Sequence, residues 1–137
     1  SNDKAEDSFK TCLSLDKNYG PALFNLAKVY QKKNFLKKSN NMFEKFLEIK
    51  GPNIDAYSAM AWNNMTSGKN EQAKVLYEKV LGLKTNNQEA LVNLARIYYF
   101  LGKKETSRSY IKRALKLNLP KAQANNLAQL LKKLSIL

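Results

Sequence analysis

The chain has no histidine, a single cysteine, three prolines and five glycines in 137 residues. Without histidine there is no imidazole general base, no histidine-based catalytic triad and no histidine-containing metal site. Cys12 stands alone and cannot close an internal disulfide, so nothing indicates an oxidatively stapled fold, and the composition suits a reducing cytoplasm. Whether a targeting segment precedes Ser1 is left open by these residues. The longest apolar run, Ile97–Leu101, has five residues, far short of a bilayer span. Arginine is scarce too, 3 against 21 lysines. No glycine-rich phosphate loop, Cys-x-x-Cys pair or cluster of acidic metal ligands occurs. These absences argue against an enzyme and against any metal or cofactor. The few glycines and prolines leave room for long regular elements.

What is present is a repeat. Asn25-Leu26-Ala27-Lys28-Val29-Tyr30 returns as Asn93-Leu94-Ala95-Arg96-Ile97-Tyr98, an offset of 68 residues, twice 34. Halfway between lies Ala59-Met60-Ala61-Trp62-Asn63-Asn64. Further columns hold the same ruler: Leu23, Tyr57 and Leu91; Ser39, Ala73 and Ser107; Phe43, Tyr77 and Ile111; Phe46, Val80 and Ala114; Leu47, Leu81 and Leu115. Extended backwards, Ala5, Phe9, Cys12, Leu13 and Leu15 join these columns. So many aligned columns without a gap are not a coincidence of composition.

Each unit reads as two helices. Leu23, Leu26, Ala27 and Tyr30 recur at three- and four-residue spacing, one face of an α-helix, and Ser39, Phe43, Phe46 and Leu47 make a second. Asn34, Gly68 and Gly102 stand at the joint, where a residue tolerating positive φ ends the first helix. The spacing predicts helices near 3–15, 21–33, 36–49, 54–67, 70–83, 88–101, 104–117 and 121–135, with no strands. Residues 1–19 align with the second helix of a unit only, residues 20–53, 54–87 and 88–121 are complete units, and residues 122–137 form a terminal helix. In that helix Leu127, Leu130, Leu131 and Leu134 mark an apolar stripe, with Gln123, Asn125, Asn126, Gln129, Lys132 and Lys133 opposite. A polar-backed cap of this kind ends a solenoid without exposing its core.

The pattern resembles the tetratricopeptide repeat, with its 34-residue period and its W-x2-L-G-x2-Y, A-x3-F, P signature. The third unit reads Leu91-x2-Leu94-Ala95-x2-Tyr98, then Ser107-x3-Ile111. The second reads Tyr57-x2-Met60-Ala61-x2-Asn64, then Ala73-x3-Tyr77. Asn64 is the clearest departure, an amide where the family keeps a packing tyrosine. The resemblance implies an all-α fold, a right-handed α-solenoid of antiparallel helix pairs, acting as a protein–protein interaction scaffold. In that family the first helices of successive units line a concave channel. Carried over by register, the partner-binding face comprises Phe24, Asn25, Lys28, Gln31, Trp62, Met65, Asn93, Arg96, Tyr99 and Phe100.

Lys28, Trp62 and Arg96 share one column, so an indole between two cations is expected across the channel. The alternative is that Trp62 packs inward to replace the tyrosine missing at Asn64. Asn25 and Asn93 resemble part of the asparagine ladder with which some members hold an extended peptide, interrupted here by Ala59. The carboxylate clamp for acidic chaperone tails is poorly matched, because Phe24, Ser58 and Val92 stand where it needs lysine. Cys12, in the column of Phe46, Val80 and Ala114, reads as a small buried hydrophobe. The net charge of +13 comes mainly from second helices, among them Lys37, Lys38, Lys45, Lys103, Lys104 and Arg108. Nucleic acid or an anionic membrane is the alternative partner for that surface. A solvated lysine exterior is the stronger reading, since groove readout of nucleic acid leans on arginine. The unpaired amino-terminal helix offers a route to a homodimer.

Overall fold

The computed structural model describes residues 1–136, the side chain of Ile136 excepted. Leu137, assigned above to the terminal helix, lies outside the described residues. These residues form α1 (Asn2–Leu15), α2 (Gly20–Lys32), α3 (Leu36–Lys50), α4 (Ile54–Thr66), α5 (Asn70–Leu83), α6 (Gln88–Phe100), α7 (Lys104–Leu115) and α8 (Lys121–Ile136). The bounds depart from the sequence expectation by two residues at most, at the end of α7. The fold is an all-α solenoid in which α2 packs on α3, α4 on α5 and α6 on α7.

Local chemistry ends each helix where the sequence places a joint. Asn34, Gly68 and Gly102 have φ of 64°, 79° and 76°, and the residue after each sends its N–H back to Tyr30, Asn64 and Tyr98, at 2.8, 2.8 and 2.9 Å. This left-handed cap satisfies carbonyls that a simple helix end would leave open. Between units, the Asn53 and Asn87 side chains accept from the amides of Ala56 and Ala90, both at 2.9 Å, and so start α4 and α6.

The helices of a pair meet at their smallest side chains. Ala27, Ala61 and Ala95 are fully buried, as are Ser39, Ala73 and Ser107 on the partner helices. The Ser39 hydroxyl donates to the Ala27 carbonyl at 2.8 Å and that of Ser107 to the Ala95 carbonyl at 2.7 Å. Around this contact sit Phe43, Tyr77 and Ile111, one large side chain per unit, each wholly buried.

The first two units carry a polar seam that periodicity alone does not reveal. Asn63 occupies the column of Val29 and Ile97 and is completely buried. Its Nδ2 donates to Ser39 Oγ at 3.0 Å and to Asn40 Oδ1 at 2.9 Å, while its Oδ1 accepts from Gln31 Nε2 at 2.8 Å. Among the described residues no buried side-chain nitrogen or oxygen lacks a partner. The amide ties α2, α3 and α4 together. Replacing it with alanine strands three polar groups around a cavity, so N63A should lower stability by about 2 kcal/mol in urea unfolding. A loss within error would mean the seam is not an energetic link.

Among the described residues helix α1 packs chiefly on α2. It buries no residue completely, and Cys12 is exposed. This corrects the expectation of a buried thiol: Val80 and Ala114 in the same column are covered by the first helix of their own unit, and among the described residues no such helix packs on Cys12. Besides the half-buried Ala5, Phe9 and Leu13, surface ion pairs join α1 to the end of α2. Lys33 Nζ lies 2.7 Å from Asp3 Oδ1 and 2.8 Å from Glu6 Oε1, and Lys10 Nζ lies 2.6 Å from Glu6 Oε2. The bonds from Lys10 and then Lys33 hold the Glu6 carboxyl down at about 2, against its usual 4.5. A depressed carboxyl contributes stability above its unfolded value that is lost as the pH falls through its folded one. Amide exchange, corrected for intrinsic rates, should therefore be faster in α1 than at Tyr77–Leu81. The gap should widen as the pH drops from about 5 toward 2. Equal protection of the two segments would refute this.

Candidate functional site

The first helices α2, α4 and α6, with the start of α8, enclose an open cavity of about 780 Å³. It draws Phe24, Lys28 and Gln31 from α2, Ser58, Ala59 and Trp62 from α4, and Asn93 and Arg96 from α6. Gln123 closes one end, accepting from Gln88 Nε2 at 3.3 Å. Trp62 is 47% exposed and lines the cavity; it does not pack inward in place of the missing tyrosine. Lys28, Trp62 and Arg96 thus sit along one cavity, as their common register requires. Neither Lys28 nor Arg96 forms an ion pair among the described residues.

The remaining residues assigned to this face divide into groups. Phe24 is half-buried and turned edge-on to Phe43 and Phe46, with centroids 5.4 and 5.2 Å away, so it supports the channel floor as well as lining it. The Gln31 amide is engaged with Asn63 and with the Ala59 carbonyl. Met65 lines a smaller hollow of about 320 Å³ with Arg96 and Phe100. Tyr99 and Phe100 line another of about 330 Å³ with Asn126, Gln129 and Lys133 of α8. The polar face of α8 therefore continues the channel wall in part, where the sequence pattern indicates only a solvated back. Phe100 is 73% exposed at the channel edge.

The two asparagines of the partial ladder are not brought together. Asn25 is exposed and lines an adjoining hollow with Pro21, Phe46 and Lys50, which meets the channel at Phe24 and Asp55. Asn93 is only 6% exposed and donates through Nδ2 to the Tyr77 hydroxyl at 3.0 Å. Its amide serves the interior, answering a lone pair of the buried Tyr77 hydroxyl.

Two acidic residues complete the cavity wall, Asp55 and Glu89. They occupy one column, each in the first turn of its helix, where a carboxylate complements the helix dipole. That conventional role hides their second position on the channel wall. Desolvation at the wall pushes the Glu89 carboxyl upward, against a lowering hydrogen bond with Tyr77, while Asp55 adds to the rise and Lys28 opposes it. Burial likewise raises the Tyr77 hydroxyl. The channel thus has an acidic margin and a cationic midline divided by one indole.

Part of the outer positive charge is occupied within the fold. Arg108 pairs with Glu105 and donates to the Leu134 carbonyl at 3.0 Å, capping α8. Arg113 donates to the Thr85 carbonyl at 3.2 Å and lies over the Tyr110 ring, and Lys38 lies over Tyr30 and Phe35. Of the three arginines only Arg96 lines the channel. Among the described residues no group of three acidic or cysteine side chains is placed to hold a metal, and no helix is long and apolar enough to cross a membrane.

Comparison with known proteins places this architecture. Over 73 residues, 53% of the chain, it is 32% identical to tetratricopeptide repeat protein 8 of Caenorhabditis elegans, of whose length it spans 14%. The fold is shared with YrrB, a tetratricopeptide repeat protein with an unusual peptide-binding site, at a TM-score of 0.78 and 20% identity over 85% of this chain and 60% of that one. It is shared also with the first tetratricopeptide repeat domain of Spaghetti (RPAP3) bound to the HSP90 peptide SRMEEVD, at 0.74 and 18% over 88% and 93%. Residues 64–133 match the tetratricopeptide repeat family itself. With that match laid over the 34-residue register and the paired helices, the chain belongs to the tetratricopeptide repeat family.

Proposed function

We propose that the concave channel binds an extended segment of a partner protein, with no catalytic step. The observation that carries this reading is Trp62, the chain's one tryptophan, half-exposed in the channel between Lys28 and Arg96, neither ion-paired among the described residues. A large aromatic left open in a concave site gains by excluding water when a partner covers it. YrrB and the Spaghetti domain, which share the fold, are themselves peptide binders, and this supports the reading.

The wall chemistry narrows the segment. A carboxylate beside the indole reaches Lys28 or Arg96, and a basic or amide group falls toward Asp55 and Glu89. A segment carrying both signs around an apolar or aromatic residue therefore fits better than a purely acidic tail. Phe24, Ser58 and Val92 remain where a carboxylate clamp needs lysine, which argues against a chaperone-tail adaptor. The arginines tied into the fold weigh against nucleic acid as the main partner.

Segments selected from a displayed peptide library supply the ligand for the test. Trp62→Ala should weaken their binding by about 2 kcal/mol, roughly thirtyfold in Kd, without loss of the folded state. Changing Lys103 and Lys104 to glutamine should alter the salt dependence and leave affinity at moderate salt nearly as it was. Peptides that bind W62A as tightly as the parent would overturn the channel as the binding site.

A further inference from the structure

The repeat allows each unit to be compared with its neighbours, and one position is conspicuously unfilled. In the third unit the Tyr98 ring stacks on Tyr110 at 5.5 Å, its hydroxyl lies 3.2 Å from Glu78 Oε1, and Lys74 Nζ stands 5.7 Å from the ring centre. One period earlier the corresponding residues are Asn64, Leu76, Glu44 and Asn40. The Asn64 amide is turned to Asn40, whose Nδ2 donates to it at 3.1 Å. Where Tyr98 fills the third unit, the second has a hollow of about 650 Å³ among α3, α4 and α5, lined by Asn64, Leu76 and Glu44 together with Glu48, Val75 and Lys79, whose Nζ stands over the Tyr57 ring at 5.5 Å. It shares no lining residue with the concave channel.

We infer that this hollow is a docking site for a tyrosine side chain presented by a basic segment of a partner protein. The chain supplies the template for the occupant. Leu76 offers an apolar surface in the register of Tyr110, and Glu44 offers a carboxylate in the register of Glu78. The phenol of the partner donates to Glu44 as the Tyr98 hydroxyl donates to Glu78. Glu44 and Glu48 lie one turn apart on α3, and neither forms an ion pair among the described residues. Two carboxylates against the single Lys79, which is placed over the Tyr57 ring, make this a local acidic margin in a chain of net charge +13, so lysine or arginine beside the tyrosine is attracted where most of the surface repels it. Val75, 50% exposed, leaves an apolar lip for the ring to cover.

The test uses an end-blocked Lys-Tyr-Lys peptide titrated into the isotope-labelled chain, with Lys-Ala-Lys as the control. The tyrosine peptide should produce saturable amide shifts at Val75 and Leu76, and the alanine peptide none. N64Y, which supplies the ring from within, should weaken these shifts at least tenfold, about 1.4 kcal/mol. N64A keeps the hollow open and should bind as the parent does, while E44Q should bind more weakly, so the proposal stays testable even if N64Y folds poorly. Equal shifts from the alanine peptide would reduce the site to charge attraction and overturn it. Binding undiminished by both N64Y and E44Q, or shifts confined to the channel, would overturn it as well. So would shifts at Val75 and Leu76 that appear on concentrating the protein alone, because the occupant would then be a second copy.

Discussion

The close contact of small side chains inside each helix pair is the constraint from which the rest follows. Ala27 with Ser39, Ala61 with Ala73 and Ala95 with Ser107 are buried without remainder. A larger side chain at any of these positions would push the two axes apart, and overpacking of such a contact is costly. Because the contact recurs every 34 residues, the first helices come to rest side by side. One column of the sequence then becomes one row in space. That conversion makes Lys28, Trp62 and Arg96 members of a single site although they are far apart in the chain.

The cations of the chain serve different ends according to row. Lys33 holds α1 through Asp3 and Glu6, and Arg108 closes the end of α8. Lys28 and Arg96 have no such duty among the described residues and flank the only indole. Net charge therefore says little about partners until it is divided in this way. The channel itself is not uniformly basic, since Asp55 and Glu89 form its opposite margin.

The helices and their joints were legible because the repeat presents each signal three times. Asn34, Gly68 and Gly102 each take positive φ, as their shared position demands. What was not legible depends on contacts made once. Cys12 follows the register of Val80 and Ala114 but, among the described residues, has no helix packed over it. Asn63 interrupts an apolar column and is answered by Ser39, Asn40 and Gln31, residues whose partnership no spacing rule announces. Asn25 and Asn93 share a column yet differ in burial, because Asn93 has the Tyr77 hydroxyl beneath it. Asp55 and Glu89 were hidden by a sufficient reason for being acidic, their place at helix starts.

The central claim is that the repeat register leaves the Trp62 indole open in the channel between two cations. Fluorescence quenching by ions reads this directly, since the chain has one tryptophan and exciting beyond the absorption of its seven tyrosines isolates the indole emission. Iodide should quench Trp62 readily and more strongly than caesium, and the difference should shrink as salt screens Lys28 and Arg96. An emission that neither ion quenches, or one that caesium quenches better, would contradict the account.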